Sequence, residues 1–167
     1  GVTSIAAGGD LILTDSGGAT FGAVNADAVT LTSTTGTIAF QGVTTFDTGL
    51  TGSADGYNLS FTGGTTTIAG DTNLTHTGTL TLGDGGDTLT FTGGLDTTGV
   101  GGQVNVGGTV GTDGAQMDLG AITLTATSEL LTDESTAAGA ILNVGAVTGG
   151  NNQLTLDGGT GGAIGVT

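Results

Sequence analysis

The chain has 167 residues, of which 37 are glycine, and it lacks Lys, Arg, Pro, Cys and Trp altogether. Fifteen acidic side chains and a single histidine give a formal net charge of −15. Phosphate recognition needs Lys or Arg, so nucleic acid and anionic membrane surfaces are excluded as partners; without cysteine there are no disulfides and no thiolate metal sites.

The length suits one domain. Thr and Gly dominate, with Leu, Val, Ile and Ala supplying the apolar share. Branched Cβ atoms fit a pleated strand, glycine disfavours helix interiors, and good helix formers are scarce, so the chain reads as all-β. Disorder is the competing reading for an acidic, glycine-rich chain. Alternating Leu, Val and Phe along the whole length argue against it. No signal peptide, transit peptide or transmembrane run is visible. The chain opens on Gly1 rather than Met, which reads as a mature or excised piece of something longer.

Apolar pairs at i and i+2 mark the expected strands. In chain order they are Leu11/Leu13, Val29/Leu31, Ile38/Phe40, Leu59/Phe61, Leu80/Leu82, Leu89/Phe91, Val104/Val106, Met117/Leu119, Ile122/Leu124, Leu142/Val144 and Leu154/Leu156. Val43/Phe46 and Ile68 mark less regular strands. Glycine pairs such as Gly63-Gly64 and Gly93-Gly94 punctuate them, as turns require. Residues 128–138 depart from the pattern: they lack glycine and carry Glu129, Leu130 and Leu131. A loop leaving the stack is expected there rather than a helical turn, because Ser, Thr and Asp weaken a helix.

Two stretches are near copies, Asn58-Leu59-Ser60-Phe61-Thr62-Gly63-Gly64 and Asp87-Thr88-Leu89-Thr90-Phe91-Thr92-Gly93-Gly94. The strongest strands form the series Leu11, Val29, Leu59, Leu89, Ile122, Leu154, with gaps of 18 to 33 positions. Such gaps fit one rung of a parallel β-helix or slightly more, which gives about six to eight rungs in a single solenoid over residues 1–167. A β-sandwich is the alternative, since Asp-Gly hairpin signals occur at Asp55-Gly56, Asp84-Gly85, Asp113-Gly114 and Asp157-Gly158. It would prefer longer strands and more aromatic residues. Solenoids normally end in a polar cap, and none is recognisable here. Joining Thr167 to another copy's Gly1 would set Leu154 and the next Leu11 24 positions apart. An open-ended stack is therefore expected, either one unit of a tandem array or a protomer that stacks on its neighbours.

Residues 8–24 (GGDLILTDSGGATFGAV), residues 59–94 with their FTGGTTTIAG and GTLTLGDGGDTLTFTGG runs, and residues 145–167 (GAVTGGNNQLTLDGGTGGAIGVT) resemble the bacterial β-strand-repeat surface proteins. That group includes filamentous-haemagglutinin-like adhesins and autotransporter passengers. The resemblance covers about half the chain. It implies a secreted, right-handed parallel β-helix in a long extracellular or cell-surface fibre, and it does not imply a catalytic site. The partners expected from the open ends are copies of the chain end to end, with lateral fibre contacts besides.

The candidate chemistry is sparse. His76 follows Leu74 by two and shares its inward or corner-facing side; no nucleophile-elbow or oxyanion motif accompanies it, so it reads as structural. Gly83-Asp84-Gly85-Gly86-Asp87-Thr88-Leu89 partly matches a calcium-binding nonapeptide, which works in series. Turn chemistry explains one imperfect copy better, leaving Asp84 and Asp87 as weak surface-calcium candidates. Polysaccharide-cleaving β-helices need clustered carboxylates or a basic residue; only Asp84/Asp87 and Asp133/Glu134 cluster, and no enzyme is expected. Thr30/Thr32, Thr79/Thr81, Thr88/Thr90 and Thr123/Thr125 would form an ice- or glycan-binding ladder if they shared one face. The sequons Asn58-Leu59-Ser60 and Asn73-Leu74-Thr75 each have a core candidate at their centre.

Overall fold

The computed structural model describes residues 2–5, 8–135 and 138–167. Every described element is a strand, and all strands pair in parallel as a solenoid of about seven turns. Short runs that alternate inward apolar and outward polar residues cannot satisfy their backbone groups alone. Each one hydrogen-bonds to the equivalent run one turn earlier and one turn later.

The pairing registers resolve three faces. The first begins at Val2, in a strand that runs on to Ile5 beside Val24 of the second face, and continues through residues 19–21, Thr37–Phe40, Asn58–Phe61, Leu80–Leu82, residues 104–106, residues 122–124 and Val147–Thr148. The second stacks residues 24–26, 44–46, Thr65–Ile68, Thr88–Phe91, residues 109–111, residues 128–131 and Leu154–Asp157. The third stacks Leu11–Thr14, residues 29–32 and residues 50–52, then Thr72–Asn73, Leu95–Asp96, Met117–Leu119, Leu142–Val144 and Ile164–Val166. The hydrogen-bonded ladder is interrupted between residues 50–52 and Thr72–Asn73, which divides the strands into a 13-stranded and a 5-stranded sheet.

A turn is shorter than the expected repeat. Leu11 pairs with Val29 at the short end and Leu130 with Leu156 at the long end, so turns run from 18 to 26 residues. The near copies around Leu59 and Leu89 lie on the first and second faces. Their offset is one full turn plus one side. The series of strongest strands likewise mixes faces: Leu11 and Val29 belong to the third, Leu59 and Ile122 to the first, Leu89 and Leu154 to the second.

Inward side chains of successive turns lie directly on one another. On the first face Phe21, Phe40 and Phe61 stack with centroids 5.1 and 5.0 Å apart and planes within 16° and 8° of parallel. Phe46 closes this stack from the second face, edge-on to Phe40 at 5.4 Å. Leu82 and Val106 continue the row above Phe61, both fully buried. Where threonine replaces an apolar residue inside, its hydroxyl bonds back to the corner it has just left. Thr44 Oγ1 donates to the Gly42 carbonyl at 2.9 Å and Thr72 Oγ1 to that of Gly70 at 3.2 Å. Buried hydroxyls with a partner cost little.

The corners need glycine where backbones of adjacent turns touch. A Cβ on Gly63 would overlap the Gly42 carbonyl oxygen one turn below. The Asp-Gly pairs sit at such corners or in connecting segments; no hairpin joins two strands, and the only antiparallel contact among the described residues is an isolated bridge between Asp113 and Asp133.

Two local expectations are corrected. Val43 is 59% exposed, while Phe46 and Ile68 are fully buried; the inward partner of Phe46 is Thr44. Residues 128–131 do not leave the stack but form a second-face strand, with Ser128 and Leu130 buried and Glu129 outward. The adjacent Leu130 and Leu131 concealed that alternation. The rest of the expected loop is described for residues 132–135 and 138; residues 136 and 137 lie outside the described residues.

Phe40 is the middle ring of the stack and touches aromatic neighbours on both sides and across the core. Phe40→Ala is expected to destabilise the chain by about 3–5 kcal/mol, and Phe40→Leu by clearly less. Urea midpoints of the two variants check this.

Candidate functional site

His76 lies in the corner between the third and first faces, fully buried, with its ring stacked on Tyr57 at 4.7 Å. Neither ring nitrogen has a hydrogen-bond partner among the described residues. Burial holds its pKa below the ordinary histidine value, partly offset by the nearby Thr79 backbone. Burial, with the Asp55 charge second, pushes Tyr57 up to about 12. Both rings are therefore neutral near pH 7. No Ser or Asp among the described residues engages the imidazole, and it has no access to solvent, so His76 is a core side chain in this arrangement.

Asp84 and Asp87, the calcium candidates, do meet, but as a turn device. Asp87 is 6% exposed. Its Oδ1 accepts the Gly64 N–H at 2.7 Å and its Oδ2 the Asp84 N–H at 2.6 Å, which ties one turn to the next. Asp84 is exposed, and its carboxyl is raised above the usual range by a side-chain hydrogen bond to Asp87 and then by that residue's charge. Both Asp87 oxygens are already committed to backbone donors. No three His, Cys, Asp or Glu among the described residues converge as a metal-binding group.

Asp133 and Glu134 lie near Asp113 and Glu129. Burial first, then the charges of Glu129, Asp113 and Asp133, raise the Glu134 carboxyl, and its Oε2 is buried without a partner among the described residues. Ser135 donates to Asp113 Oδ1 at 2.6 Å. Two shallow grooves run along the outside. One, of about 400 Å³ on the third face, is lined by Asp71, Asn73, Asp96, Gln116 and Asp118. The other, of about 330 Å³ on the second face, is lined by Thr88, Thr109, Glu129 and Thr155 among others. Asp118 is occupied within the first groove, accepting from the amides of Gln116 at 2.6 Å and Asn143 at 2.7 Å.

The four Thr-x-Thr units scatter. Thr30/Thr32 belong to the third face, Thr79/Thr81 and Thr123/Thr125 run along or beside first-face strands, and Thr88/Thr90 to the second. The structure instead builds two threonine rows that the spacing had not suggested. Thr45, Thr67 and Thr90 form one, and Thr65, Thr88 and Thr109 the other, both on the second face. Only the inter-turn register brings them together, so no local motif could reveal them. In the sequons, Leu59 and Leu74 are buried; Asn58 is engaged with Thr79 N–H and Thr37, whereas Asn73 is exposed.

The carboxylates are unevenly distributed around the turn. None lies on a first-face strand. The corner between the second and third faces carries Asp10, Asp27, Asp47, Asp71, Asp113, Asp133 and Glu134. Asp96 and Asp118 project from the third face, Glu129 and Asp157 from the second. The last turn is equally distinctive. Val147, Ile164 and Val166 are 38%, 48% and 61% exposed, while their register partners Ile122, Leu142 and Val144 one turn earlier are buried. No family model, no curated protein and no solved structure matches the chain.

Asp87→Ala leaves two backbone N–H groups without their acceptor and is expected to cost about 2–4 kcal/mol, whereas millimolar calcium leaves the thermal midpoint of the parent chain unchanged. Thermal scans with and without the ion check both. The His76 shift has a definite sign. A folded-state pKa below the unfolded value of 6.5 contributes stability present above that pH and lost as pH falls through the depressed folded value. Asp84 and Glu134, raised in the folded state, act oppositely. His76→Leu is therefore expected to gain stability relative to the parent as pH falls from about 7.5 to about 5, measured by urea midpoints.

Proposed function

We propose that the chain is a structural subunit of an extracellular filament or adhesin stalk that self-associates end to end. The observation that carries this reading is the last turn. Val147, Ile164 and Val166 occupy inward rows, yet they are exposed, and Leu154 and Leu156 are only half-buried. A further turn of the same cross-section, whether of the same chain or of a second copy, would cover them and pair the strand edges. A second copy presents suitable first-turn residues, since Leu11 and Leu13 are inward and only half-buried on the third face. Such a contact is head to tail and repeats without closing, which is how a filament grows.

Composition supports the same reading. The absence of Lys and Arg removes every trypsin-type cleavage site, and the absence of cysteine avoids mispairing outside a cell. The resemblance to bacterial β-strand-repeat surface proteins points the same way. The mechanism is mechanical: a dry apolar core, backbone hydrogen bonds along the fibre axis, and a wet Thr/Asp surface. Association must overcome repulsion between chains of charge −15, so salt should promote it.

A second reading is a glycan-, cell- or ice-binding module. The observation in its favour is the pair of threonine rows on the second face. The two differ plainly, because a fibre subunit polymerises without ligand and a binding module stays monomeric.

Negative-stain microscopy and sedimentation at low and high salt test the first reading. Filaments that lengthen with salt are expected. The double variant Ile164→Asp/Val166→Asp, at two side chains of the last described turn that are 48% and 61% exposed, should fold with little loss of stability and stay monomeric. A parent chain that remains monomeric at high concentration and high salt would sink the proposal. Thermal hysteresis in the same sample would favour the second reading.

A further inference from the structure

The three sides of the turn differ in charge. The first face carries no carboxylate on any strand, whereas the corner opposite it, between the second and third faces, carries almost half of the acidic side chains. In a chain without Lys or Arg this asymmetry governs how two copies can touch. A carboxylate only accepts hydrogen bonds, so two acidic surfaces offer each other no donor. Hydroxyls and carboxamides both donate and accept, so a surface made of them can pair with itself.

The first face is such a surface. Its central outward row runs Ser60, Thr81, Asn105 and Thr123, one residue per turn, flanked by Asn58 and Gln103. The row is partly exposed and in strict register. Its side chains already bond along the face: Asn58 Nδ2 donates to Thr37 Oγ1 at 3.3 Å and Gln103 Nε2 to Thr123 Oγ1 at 3.1 Å.

We infer that the first face is the lateral contact between copies of this chain, two stacks lying face to face through their uncharged sides. Packing in this way places the two corners with seven carboxylates each on the outside of the pair, separated by the two cores, and leaves Asp15, Asp55 and Asp84 of the flanking corners at the solvated rim of the contact. Any other pairing of faces brings Asp96, Asp118, Glu129 or Asp157 toward the partner. The footprint is modest. Strands of three or four residues span about 10–13 Å and seven turns about 34 Å, so each copy buries on the order of 400 Å², about half of what one partner contributes to a stable interface. A single pair is therefore weak, and joining copies end to end multiplies the contact along the fibre. The strength of the lateral contact thus rests on the end-to-end reading, while its geometry does not.

The absence of native cysteine makes the test clean. Single variants Ser60→Cys, Thr81→Cys and Asn105→Cys on the first face are compared with Thr67→Cys on the second and Asn73→Cys on the third. Each is oxidised at high protein concentration and high salt, and disulfide-linked dimer is read on non-reducing gels. First-face variants are expected to cross-link about fivefold or more faster, as a weak but oriented contact dictates. Equal or faster linking from the other faces overturns the inference. In microscopy, Thr81→Asp/Thr123→Asp should separate bundled fibres into single ones of unchanged length, while Thr67→Asp/Thr90→Asp should leave bundles intact; bundles that survive the first pair also overturn it. If no filaments form at all, the end-to-end reading fails, and cross-linking in solution still decides the face. If filaments form but cross-linking shows no preference, the lateral contact fails alone.

Discussion

Every part of this molecule depends on one repeated contact: an inward side chain resting on its counterpart one turn away. A three-residue strand cannot be stable by itself, since it fixes backbone entropy of roughly 1–2 kcal/mol per residue and has few neighbours. The turn above and the turn below supply both its hydrogen bonds and its dry surface. The Phe21–Phe40–Phe61 stack makes the requirement visible, because rings about 5 Å apart and nearly parallel match the spacing of the strands that carry them. The same requirement explains the corners. Turns that vary between 18 and 26 residues still stack because the variation is confined to corners and connecting segments, while the three strand positions keep register.

Charge is the second constraint, and it acts in one direction only. With no Lys or Arg, a buried carboxylate can be stabilised only by N–H and O–H donors. Asp87 is the instance inside the fold, and its two partners are both backbone amides, Gly64 of the turn below and Asp84 three residues earlier in the same turn. The remaining acids stay largely on corners and outward positions, where water solvates them. His76 shows the converse case. A lone titratable base is placed where it is kept neutral, its apolar ring faces serving the core beside Tyr57. The result is a surface that repels its own copies except where the strands carry only Thr, Ser, Asn and Gln.

Period-two alternation made most strands legible from sequence, and each of the i, i+2 pairs from Val29/Leu31 to Leu142/Val144 is buried as expected. The winding was less legible. Similarity was strongest between Leu59-Ser60-Phe61 and Leu89-Thr90-Phe91, but these lie on different faces, because neighbouring faces of one core select the same residue pattern. Strands with a single apolar anchor, such as Thr72–Asn73 beside Leu74, fell below any pattern threshold and are held by their neighbours in the stack. The threonine rows and the uncharged face were illegible for a deeper reason. They are properties of the register between turns, and register is set by the whole core rather than by any local stretch.

A stack held by nearest-neighbour contacts has a consequence for its tips. An interior turn gains two interfaces, a terminal turn only one, so its inward residues remain in water at roughly 2 kcal/mol for each large side chain. Val147, Ile164 and Val166 carry that cost here. Sequence can remove it by substituting polar residues at those rows, as a cap does, or by keeping the rows apolar so that another turn can settle on them. The last described turn has them apolar, so that a further turn, of this chain or of a second copy, can settle on them, and no first-face strand carries a carboxylate. Both features leave surfaces that gain from contact with a like surface, one along the axis and one across it, and neither is required by the stability of a single isolated copy.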